Sequence, residues 1–154
     1  MKALLCFSLF TLINIAAFAQ APKALSLNAY LKTEGYLHLT NKANLPSVML
    51  PYYKQITNTL TKKRLRLTSL YVKKNSITNN VRSFNVTIYP IDGIKQLKDT
   101  QDKQREENYQ QHLKELKDPN KPHVQIIDDF GGSVGEFGLS LNKVTNTLAL
   151  HQYQ

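Results

Sequence analysis

Val81-Arg82-Ser83-Phe84-Asn85-Val86-Thr87-Ile88-Tyr89 is the stretch on which the fold turns. Phe84, Val86 and Ile88 alternate with Asn85, Thr87 and Tyr89, the period-two pattern of a strand with one face buried. Upstream, Leu65, Leu67 and Tyr71 alternate with Arg64, Arg66 and Leu70. The two runs predict antiparallel strands over about 64–72 and 81–89. Residues 73–80, Lys-Lys-Asn-Ser-Ile-Thr-Asn-Asn, have turn composition but are too many for a tight hairpin. Phe84, Val86 and Ile88 are expected to pack against Leu65 and Leu67 on the core side. Arg64 and Arg66 then face the other way, where they either line an anion-binding surface with Lys62 and the loop lysines or protect an edge strand from mispairing.

Working outward, Pro90-Ile91-Asp92-Gly93 ends the second strand, and high helix propensity follows over about 93–117. Ile94 and Leu97 start an apolar stripe that Tyr109, Leu113 and Leu116 resume, but nothing apolar lies between Lys98 and Asn108. That segment is either a solvent-facing length of one helix or a joint between two short ones. Asp99, Lys103 and Glu107 at spacings of four give local support of only ~0.2–0.5 kcal/mol per pair. Asp118-Pro119-Asn120-Lys121-Pro122 stops the helix. Val124, Ile126 and Ile127 form an apolar run, and a hairpin is predicted over 136–142 and 147–153 with Phe137, Leu139, Leu141, Leu148 and Leu150 in the core.

Toward the N-terminus, Leu50, Tyr53, Ile56 and Leu60 recur at spacings of three and four. They predict a helix over 47–62 with Ser47 as cap and Pro51 in its first turn. Around Gly35, alternating leucines fit two short strands or a helix broken at the glycine. The elements add up to an α+β fold: an antiparallel sheet of about four to six strands with one or two packed helices.

Residues 1–19 read as an address. Lys2 is followed by an apolar run from Ala3 to Phe18, and Ala17-Phe18-Ala19 has the small-x-small exit of a secretory signal. Cleavage is expected after Ala19, leaving 20–154 as a single α+β domain in the periplasm or outside the cell, with no integral membrane span. Cys6, the one cysteine of the chain, leaves with the signal. Disulfides, cysteine-ligated zinc and cysteine nucleophiles are thereby excluded from the cleaved protein.

The charge is unevenly spread. The chain carries a net +9, yet no acidic residue occurs between Glu34 and Asp92, an interval with nine Lys and Arg. Such a half attracts anions and speeds encounter with acidic partners. Lys62, Lys63, Arg64, Arg66, Lys73 and Lys74 are the candidate ligand-binding residues for an anionic partner. That partner is a lipid headgroup, lipopolysaccharide, an acidic polysaccharide or an acidic protein; nucleic acid fits poorly with an exported chain. Tyrosines interleave with these cations, and Tyr52 is the surface candidate among them, with Tyr53 and Tyr71 assigned to the core.

Catalytic and metal motifs fare worse. Gly131-Gly132-Ser133-Val134-Gly135 matches the nucleophile-elbow pattern, but the helix that should follow is replaced by an alternating strand, and His151 is the one histidine downstream. Asp129-Phe130-Gly131 matches a kinase triplet without the other kinase elements. No glycine run is followed by Lys-Ser or Lys-Thr, so no phosphate loop forms. Asp128 and Asp129 suit turn chemistry, and His38, His112, His123 and His151 are too dispersed for a metal. Asn85-Val86-Thr87 fits the glycosylation sequon but falls on a strand. The expectation is therefore a non-enzymatic binding or interaction protein without cofactor or metal. The alternatives are an accessory subunit or inhibitor of an envelope or secreted complex docking through 98–108, and a small serine hydrolase using Ser133.

Overall fold

The structure, a computed structural model, describes Ala21, residues 23–118 and residues 135–153. These fall into two compact units, one holding 25–101 and 135–153, the other including 102–118. The signal segment, the Val124–Ile127 run, Asp128, Asp129 and Ser133 lie outside the described residues.

The first unit is α+β, as expected. It contains strands β1 (Tyr36–His38), β2 (Leu70–Lys73), β3 (Thr78–Asn79), β4 (Ser83–Pro90), β5 (Phe137–Asn142) and β6 (Thr147–Gln152). All pair antiparallel, in the order β1-β2-β4-β5-β6, with β3 on β4 beyond the end of β2. Among the described residues there are three α-helices: α1 (Leu27–Thr33), α2 (Tyr53–Lys62) and α3 (Ile91–Lys117).

β4 is the centre of the sheet, and its alternation is realised residue by residue. Phe84, Val86 and Ile88 are buried on one face and oppose Leu141, Leu139 and Phe137 of β5. That face, joined by Leu70 and Val72 of β2, packs with Ile56 and Leu60 of α2 in the main core. Burying one such aliphatic or aromatic side chain is worth about 1.5–3 kcal/mol. The hairpin of β5 and β6 forms as predicted, though Phe137, Leu148 and Leu150 are only partly buried against the core.

The opposite face carries a smaller cluster of Tyr30, Leu31, Tyr36 and Ile94, with Tyr71 and Tyr89 packed beside it. Tyr36 meets Tyr89 edge-on at 5.3 Å between ring centroids and Tyr30 at 6.3 Å. On this face Tyr153 lies directly over Gly138: a Cβ at that glycine would meet the tyrosine oxygen at 2.5 Å. Only a residue without a side chain allows that approach.

Four expectations need correction. The strand predicted over 64–72 survives only at Leu70–Lys73; residues 67–69 form a 3₁₀ turn and 64–65 serve as a helix cap. Tyr71 consequently faces the second cluster, edge-on to His38 at 4.9 Å, rather than sharing a face with Leu65 and Leu67. Residues 47–52 are 3₁₀ rather than α, so the tighter turn shifts the phase: Met49 is buried, Leu50 is 41% exposed, and Ser47 makes no capping bond. Tyr52 is not a free surface ring; it is half-buried against the core, tilted on Phe84 at 4.6 Å between ring centroids. At Gly35 the structure has a helix followed by a strand.

α3 runs from Ile91 to Lys117, so Lys98–Asn108 is helical throughout. Its buried residues, Gly93 and Ile94, belong to the first turn. In the second unit no residue of 102–118 is fully buried, while Asp102, Gln104, Tyr109, Gln111, Leu113 and Glu115 are half-buried; Arg105–Asp102 at 3.5 Å and Lys103–Glu107 at 3.7 Å supply ion pairs. Among the described residues no helix is long and apolar enough to cross a membrane.

Candidate functional site

The six candidate cations separate into two groups. Lys62, Lys63, Arg64 and Arg66 lie where α2 ends; Lys73 and Lys74 lie at the far end of β2, beyond the 3₁₀ turn.

The first group is held by a helix cap. Arg64 donates its backbone N–H to Thr61 O at 2.8 Å, and Leu65 donates to Leu60 O at 3.1 Å. These two bonds are the Schellman pattern, which needs a left-handed residue at the position Arg64 occupies. Arg64 indeed has φ of 60°. Glycine is the usual occupant there; an L-residue with a Cβ costs about 1 kcal/mol more. Downstream, Ser69 donates both its backbone N–H, at 3.0 Å, and its hydroxyl, at 2.8 Å, to Arg66 O. The segment 62–66 is thus fixed at both ends by backbone bonds.

All four side chains of this segment are exposed, and among the described residues none of them is ion-paired. Lys62 and Lys63 complement the negative end of the α2 dipole, which gives them a structural role. Arg64 and Arg66 have no comparable structural use. The reading in which they protect an edge strand does not hold, because 64–66 is not a strand.

Beside this segment is an open groove of about 360 Å³, lined by Lys63, Leu65, Phe137, Leu150 and Gln152. The register explains its composition: Phe137 opposes Gln152 and Leu139 opposes Leu150 on the hairpin, so 137, 150 and 152 share the sheet face that α2 covers. α2 stops at Lys62, leaving Phe137, Leu150 and Leu65 half-buried. The result is an apolar floor with a cationic rim and no carboxylate in its lining. Sequence reading placed Phe137 and Leu150 in the core and missed the groove.

In the second group Lys73 is neutralised and Lys74 is held through its backbone. Lys73 pairs with Glu34 at 3.1 Å and sits 5.2 Å from the centre of the Tyr36 ring. The β1–β2 register, Tyr36 opposite Lys73, brings that pair together across 39 residues. Lys74 is exposed and spends its backbone N–H on Gly35 O at 3.0 Å. The group is therefore part of the scaffold around the end of α1.

The titratable groups with shifted behaviour are tyrosines. Burial pushes the Tyr36 phenol well above its usual value, with further contributions from Tyr30, Tyr89, Glu34 and Glu136. Tyr89 is pushed up by burial and then by Glu136. Both are held neutral, which suits packing rather than proton transfer at neutral pH. His38 has both ring nitrogens occupied, by Thr68 O at 2.8 Å and the Thr40 hydroxyl at 2.6 Å. Among the described residues no group of three His, Cys, Asp or Glu is placed to hold a metal. Asn85, of the glycosylation sequon, lies in β4 and donates to the Thr78 hydroxyl at 3.2 Å.

Comparison with known proteins finds no match to this chain among family models, curated proteins or solved structures. The functional reading rests on the geometry above.

Proposed function

We propose that this protein is a non-enzymatic binding module of the periplasm or cell exterior, whose 62–66 segment and adjoining groove receive an anionic partner with an apolar part. The observation that carries the reading is Arg64. It occupies the glycine position of a helix cap at an energetic cost, and backbone outliers that persist are concentrated at functional sites. Its neighbours supply the recognition surface: Lys62, Lys63 and Arg66 for charge, and Leu65, Phe137 and Leu150 for apolar contact. The extracytoplasmic placement comes from the signal pattern of residues 1–19.

The test is a salt titration of binding to a sulfated oligosaccharide, to phosphatidylglycerol vesicles and to an acidic peptide. Affinity for at least one probe should fall steeply between low and physiological salt. Arg64→Glu/Arg66→Glu should abolish that binding, while Lys74→Glu leaves it within about twofold. Equal binding by the wild type and the double variant contradicts the proposal.

A second reading, an accessory subunit docking through its long helix, is favoured by one observation. None of residues 102–118 is fully buried, and Leu116 is 62% exposed. That reading predicts increased amide protection across 102–117 when a protein partner binds.

A further inference from the structure

We infer that the outer edge of β6 accepts an extended acidic segment of a partner protein as an additional strand, with the 62–66 cations reading its carboxylates. The inference rests on the binding reading above and names the partner's chemistry. β6 is the last strand of the sheet, paired among the described residues with β5 alone. Its hydrogen-bond phase is fixed by Tyr153, whose N–H bonds to Glu136 O at 3.0 Å. Since antiparallel pairs alternate, Thr147, Ala149 and His151 bond inward to β5, and the amides and carbonyls of Leu148, Leu150 and Gln152 point outward.

Edges of this kind are normally blunted by charge, proline or a bulge. Thr147-Leu148-Ala149-Leu150-His151-Gln152 has no Lys, Arg, Asp, Glu or Pro, and its register with β5 runs unbroken over six pairs. The opposite edge, β1, has three residues, too few for a stable addition. The bare edge also runs beside the groove: Leu150 and Gln152, two of the three residues with outward amides, line it together with Lys63. Strand addition takes affinity from main-chain bonds and specificity from pockets for alternate side chains. Here the groove is lined by Leu65, Phe137 and Leu150 with Lys63 beside them, and Lys62, Arg64 and Arg66 adjoin Lys63 in the chain; the complementary strand therefore sets apolar and acidic residues two apart, on the one face it turns to the groove. A second copy of this chain would instead set like charges on both sides of the joint, which disfavours self-pairing.

The experiment is calorimetric titration of the protein with the acetylated octapeptide Thr-Val-Thr-Glu-Thr-Val-Thr-Glu, whose valines and glutamates share one face of an extended chain. Two further forms are N-methylated, one at the threonines and one at the valines and glutamates. The parent peptide should bind, and one methylated form should bind about tenfold or more weakly, since each carries the same charge but one lacks the amides facing β6. Arg64→Glu/Arg66→Glu should remove binding of all three. If both methylated forms bind like the parent while the double variant loses them, strand addition is overturned and the basic-segment reading stands. If no peptide binds but a sulfated oligosaccharide or vesicle does, or if the protein sediments as a β6-dependent dimer, the peptide partner is overturned. If the double variant binds everything as the wild type does, both conclusions fall.

Discussion

α1 and α2 both end on a left-handed residue, glycine in one and arginine in the other, though only α2 completes the two-bond cap. At the end of α1 the left-handed position is Gly35, φ 73°; at the end of α2 it is Arg64, φ 60°. Each donates its N–H to the carbonyl three residues back, Gly35 to Lys32 at 3.2 Å and Arg64 to Thr61 at 2.8 Å. The cations beside each end differ as well. Lys73, near α1, is committed to Glu34 and Tyr36, whereas Lys62, Lys63, Arg64 and Arg66 face water beside a groove. The chain therefore uses the low-strain solution where the end is scaffold and the strained one where the cations are exposed. Strain retained beside unused charge is the basis for reading the α2 end as the recognition surface.

The largest effect that breaks the comparison is Leu60→Ala. Leu60 is fully buried and its carbonyl accepts the Leu65 bond of the cap. A loss of about 2–5 kcal/mol is expected from the emptied core site, measured by urea unfolding, with the backbone bond of the cap retained.

Next come two substitutions of opposite sign. Gly35→Ala should destabilise by about 1 kcal/mol, because the conformation is left-handed while the nearest contact, Lys74 Cβ at 3.7 Å, is ordinary. Arg64→Gly should stabilise by roughly 0.5–1 kcal/mol while weakening binding. Unfolding midpoints of the two variants check the pair; like signs would show that the caps are not equivalent.

Alkaline pH separates the two ends further. The Tyr36 phenol is raised in the folded state, so its contribution to stability is complete below the ordinary phenol pKa of about 10 and is lost as pH rises above it. The melting temperature should fall as pH rises from about 10 to 12, and less steeply in Tyr36→Phe. The smallest effect is Glu34→Gln. Its ion pair is partly exposed, so about 0.2–1 kcal/mol is expected in thermal unfolding, and the freed Lys73 should leave polyanion affinity essentially unchanged.

Much of this was legible in residues and some was not, for identifiable reasons. The β4 alternation and the β5–β6 hairpin could be read because one face of each is buried and period two then writes itself into the sequence. The Met49-for-Leu50 exchange could not, since an apolar stripe does not say where 3₁₀ winding replaces α. Leu65 and Leu67 kept their packing against the core without the strand that was expected to carry them. The cap was hidden because no glycine marks it, and a basic run after a helix looks like solvated chain. Lys73 and Lys74 looked equivalent to Lys62–Arg66 because the Glu34 carboxylate that neutralises Lys73 lies 39 residues away. The groove was hidden because alternation identifies a face but not where the covering helix stops.

The most direct test of the account is a two-dimensional amide NMR titration with the acidic octapeptide, followed residue by residue. The account predicts the largest shifts at 62–66 and at Leu148, Leu150 and Gln152, with Gly35, Lys73 and Lys74 unmoved. Shifts centred on Gly35, Lys73 and Lys74, or spread evenly over every exposed lysine, would contradict it.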